Sequence, residues 1–308
     1  MKHSLFIVLL LVFLVACSGE ANTPVTTVIS TQIPTLATST FTPTDLPISS
    51  LTTTATLTME DWKSLPIVPS VSPEMIAIFQ RGLALGHNPS RFSKIGDCQN
   101  ITTYFLAEFD DPHMYSLGSS YAYLQPTIDH FAGSWSRQSL AVHGGMNVAA
   151  VQDPFWTLTP KPKECNPGET PLACEIRVYN PSFVIISMEE SWSGDIGKYD
   201  QYLRMIVKYV LGQNVVPILA TRAEVPDPAI SINATVARIA YDYHLPLWNF
   251  WAAANPLPSH GLTADGFHLT WAAPFFDDPQ RMEQGWPWRN LTALQTLDAI
   301  SRGVGAQP

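Results

Sequence analysis

Positive charge is scarce in this chain. Its 308 residues carry 17 Lys and Arg against 26 Asp and Glu, a formal net charge of −9. No basic stripe exists to neutralise phosphates, which argues against a nucleic-acid partner. Long apolar runs are equally scarce: beyond residue 15 nothing approaches the roughly eighteen uninterrupted apolar residues of a membrane-spanning helix. Metal-ligand spacing is missing as well. There is no helical His-x-x-x-His and no paired-Cys motif, so no metal and no other cofactor is expected, and His260, Asp265 and His268 form only a weak ligand set. Cysteine is limited to four residues.

The one strong apolar run stands at the start. Lys2 and His3 precede Leu5 to Val15, and Leu14-Val15-Ala16-Cys17 follows where the chain turns polar at Ser18-Gly19-Glu20. Residues 1–17 have the layout of a signal peptide, and small residues ending at Cys resemble a bacterial lipobox with Cys17 as the lipidated N-terminus. An ordinary secretory signal with an incidental Cys is the plainer alternative. Lipidation would place the protein outside the cytoplasm, anchored to the bacterial membrane. Residues 18–58 are rich in Thr and Pro, and from Ala21 to Thr58 Asp45 is the only charge. Such a stretch buries too little apolar surface to offset its ordering entropy and is expected to be a disordered tether. Residues 59–308, about 250 in all, fit one domain. With 46% hydrophobic residues and nine Trp the chain can bury a substantial core.

Cys165 and Cys174 flank the turn-rich Asn166-Pro167-Gly168-Glu169-Thr170-Pro171, which suits a short-range disulfide in an oxidising compartment. Cys98 is left outside that pairing, either a buried inert thiol or a reactive one.

Ser72-Pro73-Glu74 reads as an N-cap, a first-turn Pro and an acidic first turn, with a helical apolar stripe running to Gly86. Strands are expected at Phe92–Ile95, Ser139–Val142, Phe183–Ile186, Val215–Ala220 and Leu245–Phe250. Further helices are expected at Tyr199–Leu211, Ala234–Tyr243 and Leu291–Ile300. This alternation predicts an α/β fold, a mostly parallel sheet between two helical layers. Functional residues in such sheets gather beyond the C-terminal strand ends, where Gly96-Asp97-Cys98, His143-Gly144-Gly145 and Glu189–Ser193 fall.

Asp265 stands three residues before His268 within Gly261-Leu-Thr-Ala-Asp-Gly-Phe-His-Leu-Thr270. A carboxylate and an imidazole on one tight loop can pair directly, fixing the tautomer and leaving the second ring nitrogen as a base. Together with Gly96-Asp97-Cys98, these residues resemble the SGNH (GDSL-type) hydrolase family over most of residues 72–302. The resemblance implies a three-layer α/β/α, flavodoxin-like sandwich and hydrolysis of ester bonds, with acyl esters or acetylated glycans as substrates. It implies Cys98 as nucleophile in the family's Ser position, His268 as base, Asp265 as its orienting carboxylate and Gly145 as an oxyanion donor. The family's oxyanion Asn is replaced: Ser191 falls on its position and Glu189 on the preceding Gly. A Cys in place of Ser keeps a nucleophile, and the Ser191 hydroxyl is the substitute donor. Asp97 and Glu189 are pocket candidates, Glu189 being otherwise a solvated loop charge.

Two readings follow. One is a lipid-anchored extracytoplasmic esterase-like hydrolase. The other is a catalytically inactive protein of the same fold that binds a glycan or an envelope partner. Trp192, Trp248, Trp251 and Trp271 suit sugar stacking or core packing equally. Asn100, Asn233 and Asn290 head glycosylation sequons that a bacterial protein is not expected to use, and His143 reads as a turn histidine.

Overall fold

Ser72 and Pro73 start the first helix by the chemistry the sequence suggests. The Ser72 hydroxyl accepts a hydrogen bond from the Met75 N–H at 3.3 Å, and Pro73 fills the first helical position of α1 (Pro73–Ala84). The computed structural model describes residues 61–158, 163–189, 194–224 and 232–307. The signal peptide, Cys17, the tether to residue 58, Trp192 and Ser191 lie outside the described residues. After α1 come β1 (Asn88–Gly96), α2 (Gln125–His130), α3 (Pro171–Tyr179), β2 (Pro181–Ser187), α4 (Ile196–Gly212) and β3 (Val216–Ala220). The chain continues through α5 (Ile232–Asp242), β4 (Leu247–Trp248), α6 (Phe250–Ala254) and α7 (Gly285–Gly303).

The four strands pair in parallel in the order β1-β2-β3-β4. Every residue of β2 and β3 is buried, so both sheet faces are covered, as the continuous apolar runs Phe183–Ile186 and Val216–Leu219 require. A single parallel bridge joins Val142 to Gly96 on the outer side of β1. Counting that segment second gives the order 2-1-3-4-5 of flavodoxin-like sheets, whose strand order reverses between β1 and β2. The crevice beyond that reversal is where Gly96 and Ser187 end their strands.

Three local expectations need correction. Ser139–Val142 is not a strand beyond that one bridge, because Ser139 turns inward and its hydroxyl accepts from the Ala141 N–H at 3.1 Å. The strand expected at Leu245–Phe250 is reduced to Leu247–Trp248: the Asn249 side chain caps α6 and also donates to Trp62 O and Leu65 O. The segment after Cys165 is turn-rich only to Thr170. There the hydroxyl accepts from Ala173 N at 3.1 Å and Pro171 opens α3, the same signal as Ser72-Pro73. Cys174 therefore bridges from a helix to Cys165, with Cα atoms 5.3 Å apart.

Below the site, aromatic packing dominates. Phe92 meets Phe131 and Trp135, and Phe105 stacks on Trp248 with ring centroids 6.0 Å apart. Lys94 and Glu175 are buried amid this core. Lys94 Nζ donates to Thr102 Oγ1, Phe105 O and Trp135 O, and burial pulls its pKa down to about 7. Glu175 takes a two-point contact from Arg137 at 2.6 and 2.9 Å and accepts from Ser93 and the Leu140 N–H, tying the segment before Val142 to β1.

Candidate active site

The first half of the site is the turn at the end of β1. Gly96 has no alternative there: an added Cβ would lie 2.0 Å from Asn100 Nδ2 and 2.3 Å from Ser187 O. Asp97 follows, fully buried, with Oδ1 accepting from Gln99 N at 3.1 Å and Oδ2 from Glu189 N at 2.7 Å. Burial raises its pKa first and the neighbouring Glu189 charge second, so Asp97 leans toward its neutral form. This folded-back Asp caps a short turn and lifts Cys98 to the rim, half-exposed.

The second half is a loop that closes on itself. Leu262 and Leu269 pair antiparallel, and Thr263 N donates to His268 O at 2.8 Å. Gly266 takes φ +70°, which makes the tight reversal between Asp265 and His268 possible. Asp265 Oδ1 accepts from Thr263 Oγ1 at 2.7 Å and from the Phe267 and His268 N–H groups at 2.9 Å each. The hydrogen bond from the His268 ring, with these three behind it, holds the Asp265 carboxyl well below its usual range.

The two halves meet. Cys98 Sγ lies 3.7 Å from His268 Nε2, and His268 Nδ1 lies 2.6 Å from Asp265 Oδ2. With Asp265 ionised, Nδ1 carries the proton it donates and Nε2 presents a lone pair to the thiol. Gln99 Nε2 donates to Phe267 O at 2.7 Å, a direct strap between the turn and the loop. The His268 and Asp265 side chains are 56% and 50% exposed, so the group sits at an open surface.

The Gly96–Val142 bridge and the His143 N–Gly96 O hydrogen bond bring Val142 and His143 to the end of β1, and Gly145, two residues on, adopts φ +76°. The His143 ring is exposed, with Nδ1 2.7 Å from Gly144 O.

Asp97 and Glu189 are not pocket residues, and Glu189 is not a solvated loop charge. Glu189 is only 4% exposed: Oε1 is 2.8 Å from Arg289 Nη2 and accepts from Ser187 Oγ at 3.0 Å. Arg289, wholly buried on α7, is the residue that sequence reasoning missed. Its guanidinium lies 4.9 to 5.3 Å from the ring centres of Phe105, Phe250 and Trp248. A buried Arg needs a buried anion, and Glu189 supplies it. The signal was an Arg inside the aromatic run Trp286-Pro287-Trp288-Arg289.

Other sequence candidates disperse. Trp248 is fully buried and Trp271 is 64% exposed, and Asn100, Asn233 and Asn290 are all buried, which closes their sequons to a glycan in the folded state. Cys165, Glu169 and Cys174 come within metal-binding distance of one another, but the disulfide has consumed both thiols. No helix among the described residues is long and apolar enough to cross a membrane.

No family model matches the chain, and no curated protein resembles it closely enough in sequence to count as a match. Among solved structures, it is similar to a GDSL-like lipase from Bacteroides thetaiotaomicron at 14% identity and a TM-score of 0.39, over 72% of this chain and 98% of that one. A variant of an acetyl-xylooligosaccharide esterase from Geobacillus gives 13% identity and a TM-score of 0.39, over 69% of this chain and 94% of its own. A G-D-S-L family lipolytic protein from Desulfitobacterium hafniense gives 14% and 0.35, over 67% of this chain and 99% of its own.

Proposed function

We propose that the protein is an SGNH-like hydrolase of ester bonds that works through a Cys98-His268-Asp265 site. One observation carries this reading: the thiol, imidazole and carboxylate stand in sequence at 3.7 and 2.6 Å, at the C-terminal edge of a parallel sheet. The Cys98 proton passes to His268 Nε2 and the sulfur attacks the ester carbonyl. His268 returns the proton to the departing alcohol, leaving a thioester on Cys98. Water, deprotonated by His268, then releases the carboxylic acid and restores the thiol. Asp265 stays ionised and stabilises the imidazolium. The Cys98 and Gly145 N–H groups hold the oxyanion, with the Ser191 hydroxyl in place of the family's Asn. Lipidation at Cys17 and a tether over residues 18–58 would hold the domain outside the cytoplasmic membrane.

The test is hydrolysis of p-nitrophenyl acetate, with iodoacetamide labelling of Cys98 in parallel. Cys98→Ala is expected to abolish both. Cys98→Ser is expected to keep measurable hydrolysis, since a hydroxyl would occupy the same position, and to lose labelling. Hydrolysis unchanged in Cys98→Ala would overturn the reading. No hydrolysis above background by the wild type would instead favour a binding protein of the same fold, for which one observation speaks. A depression of about 540 Å³ is lined by Asn147, Trp156 and Tyr202.

A further inference from the structure

Cys98 and His268 are far apart in sequence, on loops strapped together by the Gln99–Phe267 hydrogen bond. Both are also held by α7. At its first turn, Gly285 packs so closely on the His268 loop that an added Cβ would lie 2.4 Å from Gly261 O. Gly285 N donates to Thr270 Oγ1 at 2.9 Å and Trp286 N to Thr270 O at 3.0 Å. One turn later, Arg289 Nη2 reaches Glu189 Oε1 and Ser187 Oγ, each at 2.8 Å. Glu189 N in turn holds Asp97 Oδ2 at 2.7 Å, and Asn100 Nδ2 holds Ser187 O at 2.8 Å. Two further polar groups beside Glu189 bind backbone: Arg222 Nη1 donates to its carbonyl at 2.5 Å, and Tyr199 to Met188 O at 2.6 Å. Aromatic rings surround the Arg289 guanidinium, and Glu189 is the carboxylate it pairs with directly among the described residues.

We propose that Arg289 is a positioning residue: through Glu189 it fixes the Asp97–Cys98 turn, while the first turn of the same helix fixes the His268 loop, so that α7 sets the Cys98–His268 separation. The inference rests on the Cys98-His268 reading of the site. Charge gives it a second consequence. Glu189 neutralises Arg289. If Glu189 loses its charge, Asp97 is the carboxyl left to ionise against Arg289, and the negative charge moves to the residue beside Cys98. Negative charge there opposes a thiolate.

The test is the pH dependence of iodoacetamide alkylation of the Cys98 peptide in the full chain, with Cys98→Ala as the blank and far-ultraviolet circular dichroism as the check on folding. The wild type is expected to alkylate well below the ordinary thiol range near about 8.5, because the imidazole stabilises the thiolate. Arg289→Met is expected to move that profile upward by at least about one pH unit, about tenfold slower labelling at pH 7. Glu189→Gln, which keeps volume and an acceptor for Arg289, is expected to move it the same way. Arg289→Met with Glu189→Gln removes both buried charges together, which cores tolerate far better than removing one, and it keeps the test open if Arg289→Met does not fold. The double variant is expected to fold and still show the displaced profile. A wild-type profile in any folded variant, whatever its stability, would reduce Arg289 to a structural residue and overturn the proposal. An ordinary thiol profile in the wild type would instead defeat the Cys98-His268 reading, and this proposal with it.

Discussion

Gly96, Asp97 and Cys98 each do a different job in one turn, and each can be probed singly. Gly96→Ala would push a Cβ to within 2.3 Å of the Ser187 carbonyl, which is backbone of a buried strand and cannot step aside. It is expected to destabilise the fold by about 1 to 3 kcal/mol in urea unfolding. Asp97 gives a pH signature. Its carboxyl is pushed from 3.8 up to about 8 in the folded state by burial and by Glu189. Below pH ~4 both states hold the proton, and between ~4 and ~8 only the folded state does, so this group's contribution to stability falls as pH rises through that window. Asp97→Asn removes that slope, and its stability relative to the wild type is expected to improve steadily from pH 5 to pH 8. A constant difference would show Asp97 ionised in the fold. These short-range features were legible because turn chemistry is local: Gly-Asp before Cys98 and Asp-x-x-His at 265–268 each fold within a few residues. The Glu189–Arg289 and Glu175–Arg137 pairs were not legible. Nothing near either acid in the chain announces its cation, and a charge after an apolar strand reads as solvated until the partner's burial is known.

At the scale of elements, α7 and α3 carry separable loads. The sequence places α7 only from Leu291, whereas the helix begins at Gly285, because its first two turns carry bulky aromatics and a Pro that obscure the period. Those turns are the ones that touch the site. Gly285→Ala would force a Cβ to within 2.4 Å of Gly261 O and is expected to slow both ester hydrolysis and Cys98 alkylation. The α3 disulfide should do neither. Replacing Cys165 and Cys174 by Ser is expected to lower stability by about 2 to 3 kcal/mol in urea melts, the loop-closure value for so short a loop. The Cys98 alkylation rate at pH 7 is expected to stay unchanged. A changed rate would mean that α3 and the Glu175 contacts transmit to the site. The alternation of β2, α4, β3 and α5 was read correctly because each buries one continuous run or one stripe. The missed α3 was signalled by Thr170-Pro171, which the flanking cysteines made easy to take for loop.

On the scale of the whole molecule, the parallel sheet brings three distant segments to one edge and leaves their side chains open to solvent. The proposed anchor belongs to the same picture: Cys17→Ala is expected to abolish palmitate labelling and release or stall the protein, and unchanged labelling would remove the lipid from the account. The central claim is that Cys98, His268 and Asp265 act as one nucleophile–base unit. It is tested most directly by mixing the full chain with p-nitrophenyl acetate, quenching at early times and mapping acetylated peptides. The expected result is a transient acetyl thioester on the Cys98 peptide that decays with turnover, is absent in Cys98→Ala and forms far more slowly in His268→Ala. Release of p-nitrophenol at the wild-type rate from Cys98→Ala, or acetylation of Cys98 that does not depend on His268, would contradict it.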